Sequence, residues 1–146
     1  MKNIIESHPL SPALGAEVIG LDLKQPLSAE QQAALRCLFD KHCLLLFRGQ
    51  DISTEDHIRV VSTFGPVSDE KSDGTRHSFV SNVLPDGLFG DVALTFHADY
   101  DFRPTPPPAI SLHGYDVAGP TSPTIYVSLA HAYRRLPAAM RERLAG

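Results

Sequence analysis

Between a helix-like stretch and a glycine-bearing turn the chain carries Cys43-Leu44-Leu45-Leu46-Phe47, an unbroken apolar run of strand length. No polar residue interrupts it to mark a solvent face, so it reads as a strand buried on both sides and a central element of the fold. The flanking sequence alternates strand and helix signals. Ala16 to Leu23 predicts a short strand, stopped by Pro26. Ser28 with Gln31 three residues later matches a capping box, and Leu35, Leu38 and Phe39 recur at helical spacing up to about Lys41. After the Arg48-Gly49-Gln50-Asp51 turn, Ser53 or Thr54 caps a second helix whose Ile58, Val61 and Phe64 face the core, with Gly65-Pro66 as its terminator.

The second half is less regular. Ser68 to Arg76 is polar and reads as a surface loop. His77 to Leu84 is strand-like and Pro85-Asp86-Gly87 makes a turn. The four prolines between Arg103 and Pro108 exclude helix there. Ile110 to Val117 alternates, Thr121 to Ser128 is β-rich, Ser128 caps a helix through Leu136, and Pro137 opens a further helical turn to Leu144. A chain of 146 residues that is 42% hydrophobic is sufficient for one domain, 1–146, and short for two.

Charge narrows the function. A net charge of −4 provides no basic patch for nucleic acid and no polybasic face for an anionic membrane, which leaves small-molecule chemistry open. The N-terminus lacks a long apolar segment, and no apolar run approaches the roughly 18 residues of a membrane span, so the cytoplasm is the expected location. Cys37 and Cys43 form no CxxC motif and sit among apolar residues, the pattern of buried free thiols.

The segment Phe96-His97-Ala98-Asp99 carries the chemistry. In an extended backbone residues i and i+2 share a face, so the His97 imidazole and Asp99 carboxylate can converge on one metal ion. Two histidines and one carboxylate make the facial triad of non-haem Fe(II) oxygenases, and this motif supplies two of the three. A lone His-x-Asp is weak evidence, since two fixed residues recur by chance. Among the other histidines, His113 shares a face with Ser111 and Tyr115, and His77 follows the polar loop and could border a pocket. His131 lies on the face of a helix. His8, His42 and His57 fit loop and helix surfaces without a role.

The order of features resembles the taurine and 2,4-dichlorophenoxyacetate dioxygenase family of Fe(II)- and 2-oxoglutarate-dependent oxygenases. The resemblance runs from Leu14-Gly15-Ala16-Glu17-Val18-Ile19-Gly20-Leu21-Asp22-Leu23 and Pro26-Leu27-Ser28 through Leu45-Leu46-Phe47-Arg48-Gly49-Gln50 and Thr63-Phe64-Gly65-Pro66. It culminates in Phe96-His97-Ala98-Asp99-Tyr100-Asp101-Phe102 with Pro106-Pro107 after it. It implies an α+β fold, part of a double-stranded β-helix (jelly roll) with flanking helices. By the same resemblance His97 and Asp99 are the first two iron ligands and Thr124 hydrogen-bonds the 2-oxoglutarate carboxylate. The family usually has Gly-Gly-Asp before that threonine, where this chain has Thr121-Ser122-Pro123.

The reaction implied is hydroxylation of a small organic molecule by O2, with 2-oxoglutarate decarboxylated to succinate. Glu70 and Ala93 stand where taurine-oxidising members hold the sulfonate, which argues against a taurine-type substrate. Glu70, Tyr100 and Asp101 are the weak candidates for shaping another pocket, and a solvated loop charge is the bland reading of Glu70. The family's distal histidine and 2-oxoglutarate-binding arginine have no counterpart in these residues. The expectation is therefore an N-terminal portion of a longer enzyme, lacking the C-terminal half of the barrel, or a chain completed by a partner; a homo-oligomer is compatible. The competing readings are a non-catalytic binding module that keeps half of the fold, and a zinc or manganese cupin-like site.

Overall fold

A computed structural model describes residues 4–69, 72–117 and 123–145. The described residues fall into two compact units, one within Met1–Asp22, Leu27–Gln50 and Tyr115–Gly146, the other within Leu23–Pro26 and Asp51–Gly114.

In the first unit, β1 (Glu6–Pro9) pairs antiparallel with β2 (Ala16–Ile19), with Glu6 opposite Ile19 and Pro9 opposite Ala16. Ser11 ties the connecting turn: its Oγ accepts from the Leu14 N–H at 2.9 Å and donates to the Leu14 carbonyl at 2.6 Å. Along β2, buried Ala16 and Val18 alternate with half-buried Glu17 and Ile19, as a strand with one covered face requires. The strand stops at Gly20, whose positive φ of 77° turns the chain, rather than continuing to Leu23.

The helix α1 (Ala29–His42) starts from the expected capping box, Ser28 Oγ accepting from the Gln31 N–H and Gln31 Oε1 from the Ser28 N–H. It buries Leu35 completely. It ends on Cys43, which adopts the left-handed conformation at φ 59° and donates its N–H to the Phe39 carbonyl. This cap overturns the expected five-residue strand. Only Leu45–Leu46 forms β3, pairing parallel with β2, and the order β1-β2-β3 puts it at the sheet edge with β2 in the centre. Residues 44–47 are accordingly half-buried, and Cys37 and Cys43 are exposed thiols, not buried ones. Near the C-terminus, Ser128 Oγ accepts from the His131 N–H to cap α3 (Leu129–Arg135), and α4 (Ala138–Ala145) follows Pro137.

The second unit is built around α2 (Thr54–Val61). Ser53, not Thr54, is the cap, exchanging hydrogen bonds with Asp56 in a second capping box. Its buried face is Val60 with Thr63 beyond the helix end, while Ile58, Val61 and Phe64 are only half-buried, so the core-facing stripe is rotated from the expected one. Leu23 and Ile52 complete the buried set of this unit. Arg59 explains the placement of residues 23–25: its guanidinium donates to the carbonyls of Leu23, Lys24 and Gln25 at 3.0, 3.0 and 2.8 Å, and it is held by the Asp56 carboxylate. The same guanidinium, with the Ser53 N–H and hydroxyl, holds the Asp56 carboxyl below the usual carboxylate range.

Beyond α2 the unit is mostly irregular. Strand pairing within 77–84 is confined to β4 (Val80–Ser81), parallel to β5 (Leu88–Phe89). Residues 110–117 and the described residues 123–128 form no strand, and Leu112, Tyr115, Ile125 and Val127 are exposed despite their alternating or β-rich sequence. No helix among the described residues is long and apolar enough to cross a membrane.

Two stability measurements test this packing. Replacing Arg59 with Met removes three hydrogen bonds to main-chain carbonyls and the partner of Asp56, and is expected to cost about 2–3 kcal/mol in urea unfolding, against no change if the clamp is incidental. At Gly65 a Cβ would lie 2.8 Å from Pro108 Cγ, so Gly65→Ala is expected to cost roughly 1–3 kcal/mol, and an unaltered midpoint would contradict that close approach.

Candidate metal-binding site

His97 and Asp99 come together in the second unit, though not on a strand: residues 92–98 are irregular and Asp99 opens a turn. His97 Nε2 lies 3.0 Å from Asp99 Oδ1, and His97 Nδ1 lies 2.8 Å from the Thr95 carbonyl. Both side chains are about half exposed, at 49% and 47%. Tyr100 follows in the left-handed conformation, φ 57°, which is unfavourable for a bulky residue, and Arg103 closes the turn by donating its N–H to the Tyr100 carbonyl at 3.0 Å. The Arg103 guanidinium stacks over the Tyr100 ring, 4.2 Å from its centroid.

Each ring nitrogen of His97 faces an acceptor, which favours the doubly protonated ring. The Thr95 carbonyl is the largest influence raising the His97 pKa above the usual histidine value, and the Asp99 and Asp101 carboxylates add to it. The arrangement suits a metal as well as a proton. Two donors each about 2.1 Å from an ion and at right angles to one another lie about 3.0 Å apart, the separation observed between Nε2 and Oδ1. With Nδ1–H donated to Thr95, the neutral ring keeps its lone pair on Nε2, toward Asp99. An imidazole and a carboxylate are ligands that Fe(II) accepts. Among the described residues no group of three His, Cys, Asp or Glu side chains is placed to hold a metal ion.

The remaining candidates are more scattered. Tyr100 is half-buried and Asp101 exposed, both beside the pair in sequence. Glu70 lies outside the described residues. Thr124 is exposed and belongs to the first unit. His77 donates from Nδ1 to the Thr75 carbonyl at 2.7 Å and meets the Phe79 ring edge-on. His113 packs against the His57 ring. The participant that sequence reasoning missed is the Thr95 carbonyl, a backbone acceptor that no side-chain pattern announces.

Comparison with known proteins places the sequence in a family. The sequence matches the family described as "Taurine catabolism dioxygenase TauD, TfdA family" over residues 6–146. It is 29% identical to an alpha-ketoglutarate-dependent sulfate ester dioxygenase of Pseudomonas putida, over 94% of this chain and 46% of that protein. It is 24% identical to the alpha-ketoglutarate-dependent 2,4-dichlorophenoxyacetate dioxygenase of Cupriavidus pinatubonensis, over 97% of this chain and 56% of that protein. The chain thus spans about half the length of these relatives. Among solved structures, a putative alpha-ketoglutarate-dependent taurine dioxygenase from Burkholderia xenovorans is similar over 44% of this chain and 23% of its own, at 39% identity and a TM-score of 0.43. With the family match running through β1, the three capped helices and the His97–Asp99 pair to residue 146, this protein belongs to the TauD/TfdA dioxygenase family.

Proposed function

We propose that this chain is the N-terminal portion, in one domain, of an Fe(II)- and 2-oxoglutarate-dependent dioxygenase that hydroxylates a small organic molecule in the cytoplasm. The observation that carries the reading is the 3.0 Å convergence of His97 Nε2 and Asp99 Oδ1 in a chain that matches the family over residues 6–146. The named activities of the relatives support the reaction class. The exposed apolar side chains of 110–117 and 123–128 support the partial jelly roll, since strands of a barrel need partners that further chain would supply.

In this reading His97 Nε2 and Asp99 hold the iron, and the Thr95 carbonyl keeps the proton on Nδ1 so that Nε2 stays a donor to the metal. A metal on Nε2 would take the place of the proton that Nε2 shares with Asp99, so uptake would weaken as pH falls. Iron with 2-oxoglutarate and O2 bound supplies the oxidising power for the hydroxylation. Thr124 donates its hydroxyl to a carboxylate oxygen of 2-oxoglutarate without adding charge. Tyr100 and Asp101, with Glu70, shape the substrate end. The third iron ligand and the arginine that pairs with 2-oxoglutarate come from residues outside this chain.

The test uses the protein expressed with whatever its reading frame encodes beyond Gly146. Anaerobic titration with Fe(II) and 2-oxoglutarate is expected to develop a metal-to-ligand charge-transfer band that His97→Ala and Asp99→Ala each abolish; no band in the unaltered protein would contradict the reading. Thr124→Val is expected to raise the 2-oxoglutarate concentration for half-saturation about 10–100-fold, the value of one hydrogen bond to a charged group. An unchanged half-saturation would remove Thr124 from the site.

A further inference from the structure

A second cluster of titratable side chains lies in the unit that contains α2 and is unrelated to the metal ligands. His57 Nε2, on α2, is 2.7 Å from Ser111 Oγ. Its ring meets His113 edge to face, with centroids 5.6 Å apart and planes at 61°. His57, His77 and His113 are all half-buried, and they come from three segments well separated in sequence. The same two stretches of chain also meet where Gly65, just beyond α2, takes Pro108 against its backbone. The segment leaving the prolines is therefore fastened to α2 at two points, one apolar and one made of imidazoles.

The two points respond differently to acid. The contact between Gly65 and Pro108 carries no titratable group. At the other point, the ionisable groups acting on His57 from the other segments are His113 and His77, which carry the same sign when protonated. On its own helix the Asp56 carboxylate is engaged by Arg59 and Ser53, and Arg59, itself a cation, offers nothing to balance a new positive charge.

We propose that His57, Ser111 and His113 form an acid-labile clasp, which holds residues 110–113 on α2 while the His57 ring is neutral and releases them when that ring becomes charged. Protonation does not remove the hydrogen bond to Ser111 directly, because a charged ring still donates from Nε2. The destabilisation comes from charging a half-buried ring that faces two other imidazoles and, among the described residues, no carboxylate from those segments. Burial, with His113 and His77 adding to it, holds His57 below the usual histidine value. A folded-state value below the unfolded one means that the clasp's contribution is fully present above the ordinary histidine pKa, about 6.5, and is lost as pH falls through the folded value.

Histidine-ring and backbone-amide NMR of the metal-free protein, expressed from its complete reading frame, between pH 8 and pH 5 tests the proposal. His57 is expected to titrate below the ordinary histidine value and to move up toward it in both His113→Asn and His77→Asn. The amides of Leu112 and His113 are expected to shift with the His57 midpoint, and in Ser111→Ala to show the released-state shifts already at a higher pH. The substituted side chains are half-exposed or exposed, so the variants are expected to fold. A His57 midpoint at or above the ordinary value, a midpoint that neither asparagine variant moves, or amides of 110–113 that ignore it would each overturn the clasp. The measurement needs no metal and no turnover, so its outcome is independent of the dioxygenase reading.

Discussion

One guanidinium organises the unit that carries the metal-site candidates. Residues 23–25 run outside the sheet, and Arg59 donates to the carbonyls of all three in succession. A planar fork of five N–H donors suits consecutive carbonyls better than a lysine ammonium would. The Asp56 carboxylate one helical turn earlier orients the fork and offsets its charge, while also capping α2 through Ser53. One helix start thus fixes both its own N-terminus and the neighbouring segment. From the far end of the same helix, Gly65 meets Pro108. Losing Arg59 would therefore remove more than a single contact.

What was legible in the sequence was what is local. The caps at Ser28, Ser53 and Ser128 join residues three apart, and the chain states them directly. Cys43–Phe47 departs from the expected buried strand because an apolar run fixes neither backbone conformation nor a place in the sheet. The end of α1 uses Cys43 in a left-handed cap, so the strand begins two residues later at the sheet edge. Residues 110–117 alternate as a strand would, but a ladder needs a partner strand, and alternation specifies none. Arg59 was invisible for the same reason: its acceptors are backbone groups some thirty-five positions away.

The candidate site follows the same division. His97 and Asp99 were found because two positions along the chain suffice to bring them together. The Thr95 carbonyl was not, although it decides which imidazole nitrogen faces the carboxylate. Thr124 rests on resemblance, and Glu70 lies outside the described residues. Family membership supplies the reaction class, while the geometry supplies a reason why this imidazole would present Nε2.

The most direct test is an anaerobic crystal structure of the protein expressed from its complete reading frame with Fe(II) and 2-oxoglutarate bound. The account predicts His97 Nε2 and an Asp99 oxygen on adjacent positions of the metal, with His97 Nδ1 still donating to the Thr95 carbonyl. Iron bound without His97, or through a flipped ring that presents Nδ1, would contradict it.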